Sequence, residues 1–245
     1  ILPEGHPAVR SLLLANLASA YQQMLDYEHA AETFQRIAWD ARLQGDLTGE
    51  ILGVSVQGQM LIKQGKLHAA FETVSECIGR MESRQGMIPF AATLYGELGQ
   101  IYYDWRQLDL ARGYLQRAAQ ISGQTGYSDS EIYLHVIFSK MHQMEGNWDA
   151  AAQEIRTASE IASRNPPAVI REEILAQQVR VYLATGQSVA AQDLLQAEGF
   201  PLSGEIPIPA PGQEEGKRNA WGKLANTALR VLLAGAGQDQ DLLAQ

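Results

Sequence analysis

The sequence is poor in cysteine, in basic charge and in long apolar runs, and each shortage excludes something. One cysteine, Cys77, stands in 245 residues, so the chain holds no internal disulfide framework and no cysteine-built structural zinc site. A single thiol fits a reducing compartment, and a cytoplasmic location is expected. Lys and Arg number 19 against 28 Asp and Glu, a formal charge of −9. That balance argues against direct contact with a nucleic-acid backbone or an anionic membrane, both of which need clustered positive charge. No run approaches the roughly 18 to 20 apolar residues that span a bilayer. The best late stretch, Leu229 to Ala236, is short and carries Arg230. The start, Ile1-Leu2-Pro3-Glu4-Gly5-His6-Pro7, lacks the basic head and apolar middle of a signal peptide. It also lacks an initiator Met, so the sequence is expected to be a fragment of a longer chain.

Catalytic signatures are scarce as well. There is no G-x-x-x-x-G-K-[ST] phosphate loop, no H-E-x-x-H pair and no G-x-S-x-G elbow. The five histidines, His6, His29, His68, His135 and His142, are scattered. His142 falls at a packing position and is expected to be a hydrogen-bonded core histidine rather than a ligand. Cys77 also falls at a packing position, where it serves as a small apolar residue. Glu172-Glu173 and Glu214-Glu215 are sequence neighbours, which on a helix do not face each other. The expectation is no enzyme, no metal and no cofactor in this segment.

What is present is a repeat. Ala30, Ala70, Ala111, Ala151 and Ala191 are spaced by 40, 41, 40 and 40 residues, and other positions keep the same phase. Five residues earlier stand Leu25, Gly65, Arg106, Gly146 and Gly186; four later stand Phe34, Val74, Leu115, Ile155 and Leu195. Nine residues before the alanines come Tyr21, Leu61, Tyr102, His142 and Tyr182, and twelve before come the mostly small Ala18, Gly58, Gly99, Ser139 and Val179. Helix stops recur at Gly45, Gly86, Gly126 and Asn165.

Physically this is a helical hairpin. The first helix carries a small residue and then a large one three later, on the same face. A tight turn follows, often at glycine, which tolerates the left-handed conformation that ends helices. The second helix sets an alanine four residues before an apolar one. Small residues let helices approach, large ones fill the gaps between hairpins, and stacking builds the core. No alternating strand pattern precedes residue 199.

The set Tyr95, Leu98, Gly99, Tyr102, Ala111, Leu115 and Ala118, with Leu17, Ala18, Tyr21, Ala30 and Phe34 in the first unit, resembles the tetratricopeptide pattern. Its period is about 40 rather than the usual 34, the extra residues lying near Ala38 to Asp46. In that longer period, and in runs such as Asn16 to Tyr21, Gly99 to Trp105 and Ala228 to Gly235, the chain resembles the repeat region of MalT-like, LuxR-type ATP-dependent transcriptional regulators. The resemblance implies an all-α fold, a right-handed α-solenoid of about five to six antiparallel helix pairs. It also implies a sensor and protein-interaction role, with the nucleotide-binding and DNA-reading modules elsewhere in the parent protein.

The expected organisation is one repeat domain over 1–245, with units at about 7–45, 46–86, 87–126, 127–165 and 166–198. An irregular Pro- and Gly-rich insertion over 199–219 and a partial sixth repeat over 220–245 complete it. An exposed apolar face on that sixth repeat would permit self-association.

The candidate binding groove is the first-helix ridge that a superhelix turns inward. Ser19, Gln59, Gln100, Lys140 and Arg180 stand two residues before the large positions; Gln22, Tyr103 and Gln143 stand one after, with Lys63 and Asp104 beside them. Long polar side chains and an aromatic on a rigid surface suit a small hydroxylated effector or a partner peptide, and the same ridge reads equally as a solvated groove. The alternative function is a generic scaffold that holds a partner peptide without a transcriptional role, with Lys140 and Arg180 reading its carboxylates.

Overall fold

The computed structural model describes residues 7–83, 90–125, 128–164 and 171–199. Among the described residues there are ten helices and no strand. They fall in pairs: α1 (Pro7–Gln23) with α2 (Tyr27–Leu43), α3 (Leu47–Lys63) with α4 (Leu67–Glu82), and α5 (Ala91–Asp104) with α6 (Leu108–Thr125). Then follow α7 (Ser128–Met144) with α8 (Trp148–Arg164), and α9 (Arg171–Ala184) with α10 (Ser188–Ala197). The chain divides into two compact units, Ile1–Leu134 and His135–Gln245, with the division inside α7. The expected links at Gly86, Gly126 and Asn165, the insertion beyond Gly199 and the partial sixth repeat lie outside the described residues.

The turn inside each hairpin is the same in all five. Leu25, Gly65, Arg106, Gly146 and Gly186 each have φ between 57° and 75°. The N–H of each of these residues bonds the carbonyl three residues back. The next residue's N–H reaches five back: Asp26 to Tyr21 O, Lys66 to Leu61 O, Gln107 to Tyr102 O, Asn147 to His142 O and Gln187 to Tyr182 O, at 2.8–2.9 Å. This pair of hydrogen bonds closes the first helix and satisfies two of its terminal carbonyls. The residue that donates the second of these bonds then starts the second helix by accepting from the repeat alanine's N–H, as Asp26 O does from Ala30 and Asn147 O from Ala151, both at 3.0 Å. Gly45 (φ 73°) repeats the arrangement between α2 and α3, with Asp46 N–H on Ala41 O at 2.9 Å.

Ala30, Ala70, Ala111, Ala151 and Ala191 are all fully buried. Four residues on, Val74, Leu115, Ile155 and Leu195 are buried too, and Phe34 is half-buried. The small positions twelve before the alanines make the close approach. A β-carbon on Gly99 would stand 2.5 Å from Cγ and Cδ2 of Leu115, and one on Gly58 2.9 Å from Val74 Cγ2. In the fourth hairpin the small residue is Ser139, whose hydroxyl donates to Ala151 O at 2.8 Å. The large residues fill the space as expected. Tyr21 packs against Ala30, Ala31 and Met60, and Tyr102 sits among Phe71, Trp105 and Tyr114 with ring centroids 5.2–5.8 Å away.

In the first unit of the chain each helix packs on the next from α1 to α6, and α3 also touches α5; in the second, α9 packs on both α8 and α10. Apolar area removed from water in these contacts drives the stacking, since an isolated hairpin would leave one face exposed.

Candidate functional site

The ridge residues come from the last two turns of the first helices, where the left-handed turn fixes the helix end. In Ile1–Leu134, Ser19 is exposed, and Gln22, Gln59, Gln100 and Tyr103 are half-buried; Lys63 and Asp104 are exposed. Gln22 Nε2 reaches Met60 Sδ at 3.5 Å, across from α1 to α3. Lys63 Nζ lies over the Tyr27 ring, 5.4 Å from its centroid. Gln100 Nε2 donates to Asp104 Oδ1 at 2.9 Å, one turn along α5.

Gln59 does not simply face solvent. Its Nε2 donates to Glu97 Oε1 at 3.3 Å, and Ser55 Oγ donates to the same oxygen at 2.5 Å. Glu97 is 1% exposed, and its other oxygen, Oε2, has no hydrogen-bond partner among the described residues. Oε2 lies above Gly58, where a β-carbon would come within 2.5 Å of it. Burial pushes the Glu97 carboxyl well above the usual carboxylate range, and the Ser55 and Gln59 bonds only partly offset that. The carboxyl ties α3 to α5 from beneath the ridge through its bonds to Ser55 and Gln59.

In His135–Gln245 the same relation appears with an amide. Gln177 stands fourteen residues before its repeat alanine, Ala191, as Glu97 does before Ala111. Gln177 is fully buried, and its Nε2 donates to Gln143 Oε1 at 3.0 Å and to Ser139 Oγ at 3.2 Å. Arg180 Nη1 donates to Gln177 Oε1 at 3.4 Å. Two expected ridge residues, Gln143 and Arg180, are thus joined through a residue that the repeat pattern does not single out. Lys140 Nζ lies 3.8 Å from Glu173 Oε1, so its charge already faces a carboxylate.

Cys77 and His135 belong to the packing rather than to the ridge. Desolvation, then the Glu50 carboxylate, pushes the buried Cys77 thiol up to about 12, which keeps it protonated and unreactive. His135 Nδ1 pairs with Glu154 Oε2 at 2.6 Å, tying α7 to α8. Among the described residues no group of three or more His, Cys, Asp or Glu is placed to hold a metal ion, and no helix is long and apolar enough to cross a membrane.

A model of the MalT-like TPR region matches residues 1–244. The chain belongs to the MalT-like TPR region family. No curated protein matches it. Solved structures give the MalT-like chain the same fold at low identity. It is similar to a Podosopora anserina kinesin-light-chain-type protein with nearly identical TPR-like repeats: TM-score 0.52 and 19% identity over 78% of this chain and 94% of that one. It is also similar to BtubC (BKLC) from P. vanneervenii, TM-score 0.56 and 15% identity over 89% and 91% of the two chains. At these identities the likeness concerns the TPR-like fold alone.

Proposed function

We propose that this MalT-like TPR region is the sensor and interaction part of a LuxR-type transcriptional regulator acting in the cytoplasm. It binds a small effector or a partner protein on the first-helix ridge and couples that state to nucleotide-binding and DNA-reading modules carried elsewhere. The observation that carries the reading is the family match across 1–244. The ridge adds support: it holds polar side chains in every hairpin, several of them bonded to the neighbouring hairpin rather than within their own. A ligand that bridges Gln59, Gln100 and Tyr103 would bias how α3 sits on α5, because Gln59 also holds Glu97. Differential affinity for two such arrangements is what a sensor requires. The segment itself does no chemistry and needs no cofactor in this reading.

The test is a thermal-shift screen of the chain against small metabolites, oligosaccharides and acidic peptides, since a ligand of the folded state raises the melting point. Any hit is then titrated against Gln100→Ala/Tyr103→Ala. An affinity loss of about tenfold or more, roughly 1.4 kcal/mol, supports the ridge; unchanged affinity removes it. A hit list of acidic peptides alone, weakened by Arg180→Glu, favours the scaffold reading instead.

A further inference from the structure

Within the unit His135–Gln245, α8 and α9 leave a cavity of about 150 Å³ between them. α8 supplies Ala152, Ile155 and Arg156 to its wall, and α9 supplies Gln178, Val181 and Tyr182. Each set is spaced i, i+3, i+4 and so shares one helix face. Gln187, from the turn after α9, completes the lining. The ridge residue of α9, Arg180, is two residues from both Gln178 and Tyr182, on the far side of the helix. The cavity is therefore separate from the ridge.

The repeat register accounts for the space. Ala152 stands one residue after its repeat alanine, where the second hairpin has Phe71. Phe71 meets Tyr102 edge-on at 5.8 Å and Trp105 at 5.4 Å, filling the junction of α4 with α5. Tyr182 is the counterpart of Tyr102, yet it shares its junction with a methyl group instead of a ring. Where α2 meets α3 the residue is again an alanine, Ala31, and Met60 packs against it. The counterpart of Met60 in α9 is the shorter Val181. Small side chains thus coincide on both helices, and what is missing is about one aromatic ring, since an apolar cavity of about 150 Å³ takes a benzene molecule.

The walls show what chemistry fits. Ile155 and Val181 are buried, Ala152, Gln178 and Tyr182 half-buried, and Arg156 and Gln187 exposed, so the floor is apolar and the mouth polar. No Asp or Glu is among the lining residues. Arg156 Nη2 donates to the neutral Gln153 Oε1 at 2.8 Å, whereas Arg10, Arg42, Arg80 and Arg171 each face a carboxylate. At the register of Arg156 the other four hairpins carry Gln35, Ser75, Gln116 and Gln196. The cation therefore stands in the one hairpin of the five whose following junction lacks both the phenylalanine and the methionine that fill the others described above.

We propose that the cavity between α8 and α9 binds a small aromatic or branched-chain carboxylate. The apolar body of the ligand takes the place of the missing side chain, against Ala152, Ile155, Val181 and the Tyr182 ring. Its carboxylate pairs with the Arg156 guanidinium at the mouth, a charge-assisted contact of the stronger kind, and the Gln178 and Gln187 amides donate beside it.

Benzoate and isovalerate are the probes, titrated into the isotope-labelled chain and followed by its amide NMR signals, with benzyl alcohol as the uncharged analogue of benzoate. Saturable shifts at millimolar concentration are expected, confined to α8, α9 and the turn at Gln187, with benzyl alcohol weaker by about tenfold or more. Arg156→Gln should remove that preference for the acid. Ala152→Phe and Val181→Met, which carry over the side chains that fill the other two junctions, should each abolish binding without lowering the melting point. Gln100→Ala/Tyr103→Ala should leave the affinity unchanged, which separates this site from the ridge. No saturable shift with either acid overturns the proposal. So does benzoate that binds no tighter than benzyl alcohol, or that keeps its affinity in whichever of the two filling variants is folded.

Discussion

Gly99 lies against Leu115 so closely that a β-carbon on it would stand 2.5 Å from two side-chain carbons, with Ala111 O 3.4 Å away. Leu115 is fully buried and has nowhere to retreat. Gly99→Ala gains up to about 1 kcal/mol of helix propensity, yet overpacking of this kind costs about 1–3 kcal/mol. The variant is expected to unfold at lower urea than wild type. A higher midpoint would mean that the two helices separate at no cost.

The left-handed turns give a cleaner case. Gly146 has φ 74° and open space around its Cα, so a methyl group there meets no neighbour. Gly146→Ala should therefore lose about 1–2 kcal/mol from backbone strain alone. Arg106 already bears that strain at φ 62°, and Arg106→Gly should move stability the other way. Urea melts of both variants check the pair; a destabilised Arg106→Gly together with a neutral Gly146→Ala would contradict the turn assignment.

Glu97 predicts a pH dependence. Its folded carboxyl titrates above the ordinary value of 4.5, so the folded chain holds a proton that the unfolded chain sheds. Stability is full below that value and falls as pH rises towards the folded carboxyl's own range, by up to about 1.4 kcal/mol per pH unit. Glu97→Gln keeps the shape, removes the titration and matches the glutamine that stands at this register in the fifth hairpin, Gln177. The variant should be more stable than wild type at pH 8 and closer to it at pH 5. An equal difference at both pH values would show that Glu97 is not the titrating group.

Helix starts differ in a way that can be used. Asp26 and Asn147 cap α2 and α8 through side-chain bonds from His29 N and Ala150 N, both 3.2 Å. Gln187 makes no such bond to α10. Gln187→Asp should add about 1 kcal/mol and slow exchange in the first turn of α10. Unchanged exchange there would mean that α10 gains nothing from a cap.

Much of the fold was legible because its packing rule repeats. The alanine phase, the small residue twelve before it and the turn five before it each report one recurrent contact, and all five turns take the same conformation. Leu25 and Arg106 were legible only from their place in the phase, because nothing in a leucine or an arginine asks for positive φ. The repeat phase alone shows the ridge as a row of polar side chains, without their partners. Gln59 and Gln143 turn out to be bonded to Glu97 and Gln177, which sit at a position that is polar in three hairpins, with Asn16 in the first, and apolar in the other two, at Val56 and Ile137. A periodic reading averages over such a position. The buried carboxyl at Glu97 left one trace, a glutamate inside the apolar run from Leu94 to Leu98, and its partners come from a helix 38–42 residues earlier.

The most direct test of the alanine-centred packing compares Ala111→Leu, at a fully buried repeat position, with Ala119→Leu, on the exposed side of the same helix. Urea unfolding should show a loss of about 1–3 kcal/mol for Ala111→Leu and little change for Ala119→Leu. Equal midpoints for the two variants and the wild-type chain would contradict the account.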